Sequence, residues 1–346
     1  MIGVAIIGAG NVGRIRASVI QRSPDCRLRI VADTEVSRAE TLAREFGAKA
    51  TGDWIELLDY PEVDIVLVCT PTKFHGEAAR KSLLHGKHVL CEKPLARSVA
   101  EAEEMLSAAE QAGRILKTGF NYRHMAHVRK AKELVDAGAL GPLYFVRCTY
   151  GHGGRPGYEK SWCTDQDLSG GGVLLEQGIH ILDLVRYLLG EPAQVMAQIP
   201  RFFWNFPVVE DNCFLLLRTE SSQIAQIHVS WTQWVNVLSF EIFGRDGYLH
   251  LTGRDGHYGP QRLIWGQRQE NHGRPKEQGF DFPASDDSWE QEWKEFLDAI
   301  RTKREPLGCA EDGLRALYLV EAAYRSAQSQ EWVGVPQAAR TVGSQQ

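Results

Sequence analysis

The sequence predicts an α/β chain in two parts: a doubly wound parallel sheet over residues 1–121, then an α+β domain with a mostly antiparallel open sheet over residues 122–346. Three observations carry this reading. The first third alternates short β-branched runs with helical repeats, the pattern of parallel strands joined by crossover helices. From about Leu143 the long segments are strand-like and are joined by turn dipeptides such as Asp246-Gly247 and Asp255-Gly256. A chain of 346 residues also exceeds the usual size of a single hydrophobic core.

In order along the chain, strands are expected over 4–7, 28–32, 65–69, 88–91 and 115–118, with helices over 12–22, 37–46, 76–84 and 99–112 between them. In the second part "LYFVRCTY", "DNCFLLLRTE", "QIAQIHVSWTQW", "LSFEIFGRDGYLHLTG" and "RLIWGQR" read as strands. One helix interrupts them over 176–189, and two more close the chain over 289–302 and 313–328. Only the last dozen residues read as disordered.

Bulk properties narrow the partners. A hydrophobic content of 43% with 24% charged residues describes an ordinary globular protein. The net charge of -5 and pI near 6.1 exclude the broad basic face that nucleic acid or an anionic membrane would need. A small-molecule partner fits better. The opening apolar stretch is too short for a signal-peptide core, and no run reaches membrane-spanning length. Seven scattered cysteines with no Cys-x-x-Cys pair read as reduced thiols of a cytoplasmic protein, and no ligand cluster calls for a metal.

The first chemical motif is "GAGNVG", following a strand and opening a helix. Gly8 permits the tight turn, Gly10 lets the backbone approach a pyrophosphate, and Gly13 allows close packing of helix on strand. The N–H groups of Asn11 and Val12 at the helix start suit phosphate. Asp33 ends the second strand, where a carboxylate can accept from ribose hydroxyls and repel the extra phosphate of NADP. These features predict a Rossmann dinucleotide site that prefers NAD. Arg38 can stack on adenine or compensate a phosphate, or be a solvated helix-face residue.

Two further strand ends point at the same carboxyl edge, where such sheets bind ligands. "CTPTKFH" places Thr70 and Pro71 beside the nicotinamide, with His75 opening the next helix as a cofactor contact or a packing group. "HVLCEKPL" delivers Glu92, Lys93 and Pro94. Pro94 restricts the backbone at Lys93, so one ammonium is aimed into the cleft. Glu92 can orient that lysine or the cofactor amide, or be a surface neighbour.

Taken in order, "GAGNVG", "CTPTKFH", "GKHVLCEKPL", "TGFNYRH" and "GGGVLLEQGIHILDL" resemble the glucose-fructose oxidoreductase, inositol dehydrogenase and rhizopine-catabolism (Gfo/Idh/MocA) family over nearly the whole chain. The resemblance implies a nicotinamide-dependent oxidoreductase of sugars, cyclitols or related hydroxy compounds. It also implies a catalytic or substrate-binding role for Lys93.

Glu176 and His180 are four apart, hence on one face of a regular helix, and the preceding Gly170, Gly171 and Gly172 would allow close approach to the cofactor. A histidine can take the hydroxyl proton during oxidation and return it during reduction, so His180 is the expected general acid/base. The family commonly has aspartate where this chain has Glu176, whose expected roles are substrate hydrogen bonding or orientation of His180. Asn121 and Arg123 are expected to bind substrate hydroxyls or a carboxylate, or else to tie the domains together. "YGHGGRPGYEKSW" offers His152, Arg155 and Trp162 as further sugar contacts, or forms an ordinary surface loop.

Family members of this kind imply homodimers or homotetramers built through the open sheet face, which Trp231, Trp234 and Phe240 either cover or leave for the core. Two other functional classes compete with a dehydrogenase on these motifs. One is an NAD-dependent glycosidase that recycles its cofactor in each turnover. The other is a non-catalytic sugar-binding regulator.

Overall fold

Unbroken apolar runs form the strands of the amino-terminal half because both faces of each strand are covered. The structure, a computed structural model, describes residues 1–270, 273–283 and 285–336, so most of the carboxy-terminal stretch read as disordered lies outside it. Strands β1 (Ile2–Ile7), β2 (Cys26–Ala32), β3 (Lys49–Thr51), β4 (Ile65–Val68), β5 (His88–Glu92) and β6 (Leu116–Gly119) pair in parallel in the order β3-β2-β1-β4-β5-β6. The order reverses between β1 and β4, the switch point at which doubly wound sheets open a ligand crevice.

Helices α1 (Asn11–Gln21) and α2 (Val36–Phe46) cover one face, α3 (His75–Leu84) and α4 (Val99–Ala112) the other. Alternate residues of β1 divide accordingly. Val4 and Ile6 join the core of Ala17, Val19 and Leu42, while Ala5 and Ile7 join that of Ala78, Leu83 and Met105.

The second part contributes α5 (Ala126–Asp136), β7 (Leu143–Gly151), α6 (Gln166–Ser169), α7 (Ile179–Leu188), β8 (Pro192–Gln198), β9 (Asn212–Thr219), β10 (Ile224–Ser230), β11 (Val237–Gly244), β12 (Gly247–Thr252), β13 (Gln261–Gln267), β14 (Lys276–Phe282), α8 (Ser288–Thr302), α9 (Ala310–Ser329) and β15 (Val333–Gly334). Its strands form one sheet in the order β14-β13-β12-β11-β7-β10-β9-β8-β15, antiparallel except for the central β7–β10 pair. Along β9, Cys213, Leu215 and Leu217 point into the core, and Phe214, Leu216 and Arg218 point outward. Trp231 and Phe240 are buried core residues, whereas Trp234 is exposed.

Helix α8 crosses the expected division of the chain. Its Trp293, Phe296 and Leu297 pack with Val4, Ile6 and Leu28 of the first sheet. Sequence patterning misses the strands β3, β8, β14 and β15 and the helices α5 and α6. Strand β14 is a largely exposed, polar edge strand that lacks the alternation by which a half-buried strand is recognised.

Candidate active site

At the switch point the glycine loop is held by close main-chain contact. Gly8 has φ of +101°, and a side chain there would meet the Cys69 carbonyl at 2.6 Å. At Gly13 an added Cβ would fall 2.1 Å from the Gly8 carbonyl oxygen, whereas the space at Gly10 is open. No side chain caps the first turn of α1 and no acidic residue lies in it, so nothing competes with an anion for the N–H groups of Asn11 and Val12.

Asp33 braces this loop. Its Oδ2 accepts from Ala9 N at 2.8 Å and its Oδ1 from Glu35 N at 2.9 Å, with further lone pairs free to face a ribose. Arg38 pairs instead with Glu35 at 2.7 Å, both exposed.

The neighbouring strand ends supply Thr70 and Pro71, both part-exposed, and the Thr70 hydroxyl has no protein partner. His75 does not reach the crevice. It is fully buried, with Nδ1 2.9 Å from the Pro94 carbonyl and Nε2 2.9 Å from the Thr70 carbonyl, so it ties the β4 and β5 loops to each other. The expected cofactor contact is corrected to a latch.

Glu92 is likewise corrected. It turns into the protein and accepts from Arg16 Nε at 2.8 Å, while Arg16 Nη1 pairs with Glu292 of α8 at 2.7 Å. Glu92 therefore cannot orient Lys93 directly: an arginine with buried acidic partners on two sides outcompetes a lysine that reaches the cleft.

Lys93 follows the end of β5 and precedes a cis peptide to Pro94, and its Nζ crosses to the second domain. There it donates to Glu176 Oε1 at 2.8 Å and to the Glu176 carbonyl at 2.7 Å. That carbonyl lies in a π turn, Leu174–Gly178, which leads into α7 and departs from the regular hydrogen-bond ladder. The single-face geometry expected of a uniform helix is thus replaced: Glu176 goes to Lys93, and no hydrogen bond joins it to His180.

His180 lies flat on Tyr122 and edge-on to Phe120, with its Nδ1 buried and unpartnered. Burial, with Lys93 and Arg254 nearby, holds its pKa well below the ordinary histidine value. The imidazole is therefore neutral at neutral pH, with a lone pair to offer, but it is a weaker base than the near-neutral histidine the sequence suggests.

The three glycines ahead of this helix serve packing rather than cofactor approach. Their missing side chains leave room for Arg97 at Gly170, for the Tyr324 hydroxyl at Gly171 and for Glu210 at Gly172.

Two expected substrate ligands are structural. Arg123 makes a bidentate pair with Asp183, at 2.8 and 2.6 Å, and also bonds Asp312 of α9 at 2.9 Å. Asn121 donates to Ser288 at the start of α8 at 2.9 Å. Asn121 thus ties the first part of the chain to the second, the alternative left open by the sequence, whereas Arg123, Asp183 and Asp312 all belong to the second part and brace it internally.

His152 is half-buried and accepts from Gly154 N at 2.9 Å; burial, with Arg254 and Arg155 near, lowers its pKa to about 4. Arg155 and Trp162 are exposed on the same loop.

Sequence reading places Tyr122 near the substrate only through the family segment that holds it, and misses Tyr150 and Arg254, which support it. Arg254, Tyr122 and Tyr150 form one hydroxyl and guanidinium chain beneath His180, with the two tyrosine oxygens 2.6 Å apart. Arg254 sits in a Gly-Arg-Asp-Gly turn with no spacing relation to the motifs, so no local signal marks it.

The open loop at Gly10, the uncapped start of α1 and the unpartnered Thr70 hydroxyl fit a dinucleotide with its pyrophosphate on α1 and its nicotinamide beside Thr70 and Lys93.

Comparison with known proteins agrees. Residues 2–120 match the family described as an oxidoreductase family with an NAD-binding Rossmann fold, and residues 128–250 match the GFO/IDH/MocA C-terminal domain. The myo-inositol 2-dehydrogenase of Thermotoga maritima is 28% identical over 93% of this chain and 95% of its own. The D-glucoside 3-dehydrogenase of Escherichia coli (strain K12) is 37% identical over 55% of this chain and 54% of its own. The crystal structure of the aldose-aldose oxidoreductase from Caulobacter crescentus, complexed with glycerol, superposes with a TM-score of 0.86 at 29% identity, covering 96% of this chain and 99% of that one. With both halves matched, and the sheet order and glycine loop in place, the chain belongs to the Gfo/Idh/MocA family of NAD-binding oxidoreductases.

Proposed function

We propose that the protein moves a hydride between NAD(H) and a ring carbon bearing a hydroxyl or keto group in a sugar, cyclitol or glycoside. The observation that carries this reading is the meeting of Lys93, Glu176 and His180, from two domains, at the open edge of the first sheet. The bound dinucleotide would supply the hydride acceptor. Neutral His180 takes the hydroxyl proton at Nε2, the nitrogen opposite buried Nδ1. Lys93, fixed by Glu176, donates a hydrogen bond to the same substrate oxygen as it becomes a carbonyl. His152, Arg155 and Trp162 hold the outer part of the ring. Gluco-configured glycosides and inositols are the leading substrates, in line with the names of two relatives.

Asp33 favours NAD over NADP on charge grounds. Seven unpaired cysteines support a cytoplasmic location, and the outward Phe214 and Leu216 support a homodimer or homotetramer through the open sheet face.

The test is a spectrophotometric screen for reduced nicotinamide, with NAD and then NADP, against sugars, cyclitols, sugar acids and glycosides. Steady reduction with one compound, lost in His180→Ala, establishes the reading. Tight NAD binding without net reduction for any compound shifts it to a cofactor-recycling glycosidase or a regulator.

A further inference from the structure

A cavity of about 440 Å³ lies where α5, α7, α8 and the turn Asn121–His124 meet. Its wall is cationic: Arg123, Arg129 and Lys132 line it from that turn and from α5, and Lys294 and Arg304 from α8 and the loop after it. Two carboxylates line it among the described residues, Glu295 and Asp298, and Arg304 takes both, at 2.6 and 2.8 Å. The chain as a whole carries a net charge of -5, so this positive excess is local.

The carboxylates that meet the other cations stand outside the lining. Asp183 and Asp312 hold Arg123, Asp136 holds Lys132 at 2.6 Å, and Asp287 meets Arg129 at 3.3 Å. The last two pairs are solvent-exposed, hence worth little and readily exchanged for a better-placed anion. Lys294 has no acidic partner among the described residues.

His124 adds a buried group to this wall. It lines the cavity at 4% exposure, and its Nε2 is buried without a partner. Burial and the nearby charges of Lys117, Arg123 and Arg129 hold its pKa down to about 2, so the ring is neutral and keeps one N–H to donate. A buried polar group left unmet beside several cations is costly, and an oxyanion answers both. The face of Tyr187 is already covered by Arg123 and Lys132, at 4.8 and 5.0 Å, which leaves charge rather than stacking as the means of recognition.

We propose that this cavity binds a phosphoryl group, as free phosphate or as the dianionic end of a phosphate monoester, held by Arg129, Lys132, Lys294 and His124. Cations from two helices suit a divalent tetrahedral oxyanion, whose oxygens can be shared among them.

The test is a phosphorus NMR titration of inorganic phosphate and of methyl phosphate at constant ionic strength. It uses the full chain saturated with NADH, which fills the other anion site at the start of α1. The proteins compared are wild type, Lys294→Gln, Arg129→Gln and, for an exposed lysine outside the lining on strand β3, Lys49→Gln. Wild type should bind with a dissociation constant on the order of 1 mM or tighter. Each cavity substitution should weaken binding roughly tenfold, the scale of one charge-assisted hydrogen bond, and Lys49→Gln should not weaken it. Tighter binding of methyl phosphate supports an ester-borne occupant, and tighter binding of inorganic phosphate supports the free ion. No saturable binding, a loss of the same size in Lys49→Gln, or binding that neither cavity substitution changes overturns the site.

Discussion

His180 lies face to face with Tyr122, their ring centroids 3.9 Å apart and their planes within 7°. The stack fixes the imidazole plane, and the Tyr122 hydroxyl is itself anchored by Tyr150 and Arg254. Tyr122→Phe keeps the flat face and should leave kcat within a few-fold of wild type. Tyr122→Leu removes the face and should lower kcat by at least about tenfold, the scale set by small misplacement of a catalytic group. Steady-state kinetics of the two variants check this. Equal effects would show that the hydroxyl, and not the stack, matters.

Lys93 and Glu176 act as one unit across the domain cleft. Lys93→Ala should cut turnover by roughly 100-fold or more, the usual size of a lost proton-donating contact, with NAD affinity within a few-fold. Glu176→Gln should cost less, since the main-chain carbonyl still holds the ammonium. The double variant should be no worse than Lys93→Ala alone, because groups sharing one interaction are not additive. Additive losses in kcat/KM would separate the two roles.

Asp33→Ser should weaken NAD and improve the relative use of NADP, measured as the ratio of kcat/KM for the two cofactors. Since Asp33 also holds Ala9 N, some loss of affinity for both is expected, and only the ratio reports selectivity. An unchanged ratio places the discrimination elsewhere.

Acid should destabilise the protein through its buried histidines. Burial lowers His127 to about 4, below the unfolded value of 6.5, so the unfolded chain binds a proton first and stability falls as pH drops below about 6.5. Full stability from this group is present above that pH. His127 alone accounts for a loss of about 3 kcal/mol by pH 4, with His180 acting in the same direction. Chemical denaturation between pH 8 and 4 checks the slope, which His127→Gln should flatten.

The first sheet was legible because its strands are apolar runs and its loop carries a glycine pattern that few other structures need. Lys93 was legible because Pro94 and the strand before it fix where it projects. Partner choice was not. Glu92 sits next to Lys93 in sequence yet bonds Arg16, and Arg123 sits among motif residues yet bonds Asp183 and Asp312. Those pairings depend on which charges become buried together, a matter of tertiary packing. Glu176 and His180 show a subtler case, because one π turn redirects a spacing that is unambiguous on a regular helix.

The seating of α8 against β1 bears on how the chain matures. The nucleotide-binding sheet is synthesised first, yet Trp293, Phe296 and Leu297, with the Glu292 partner of Arg16, leave the ribosome only after β7 to β14 of the second sheet have been made. Until then the nascent sheet exposes the apolar patch that α8 will cover, and Arg16 lacks one of its two acidic neighbours. A fragment truncated after the sixth strand would keep that exposed patch permanently and should be captured by chaperones or aggregate, although every glycine of its cofactor loop is present.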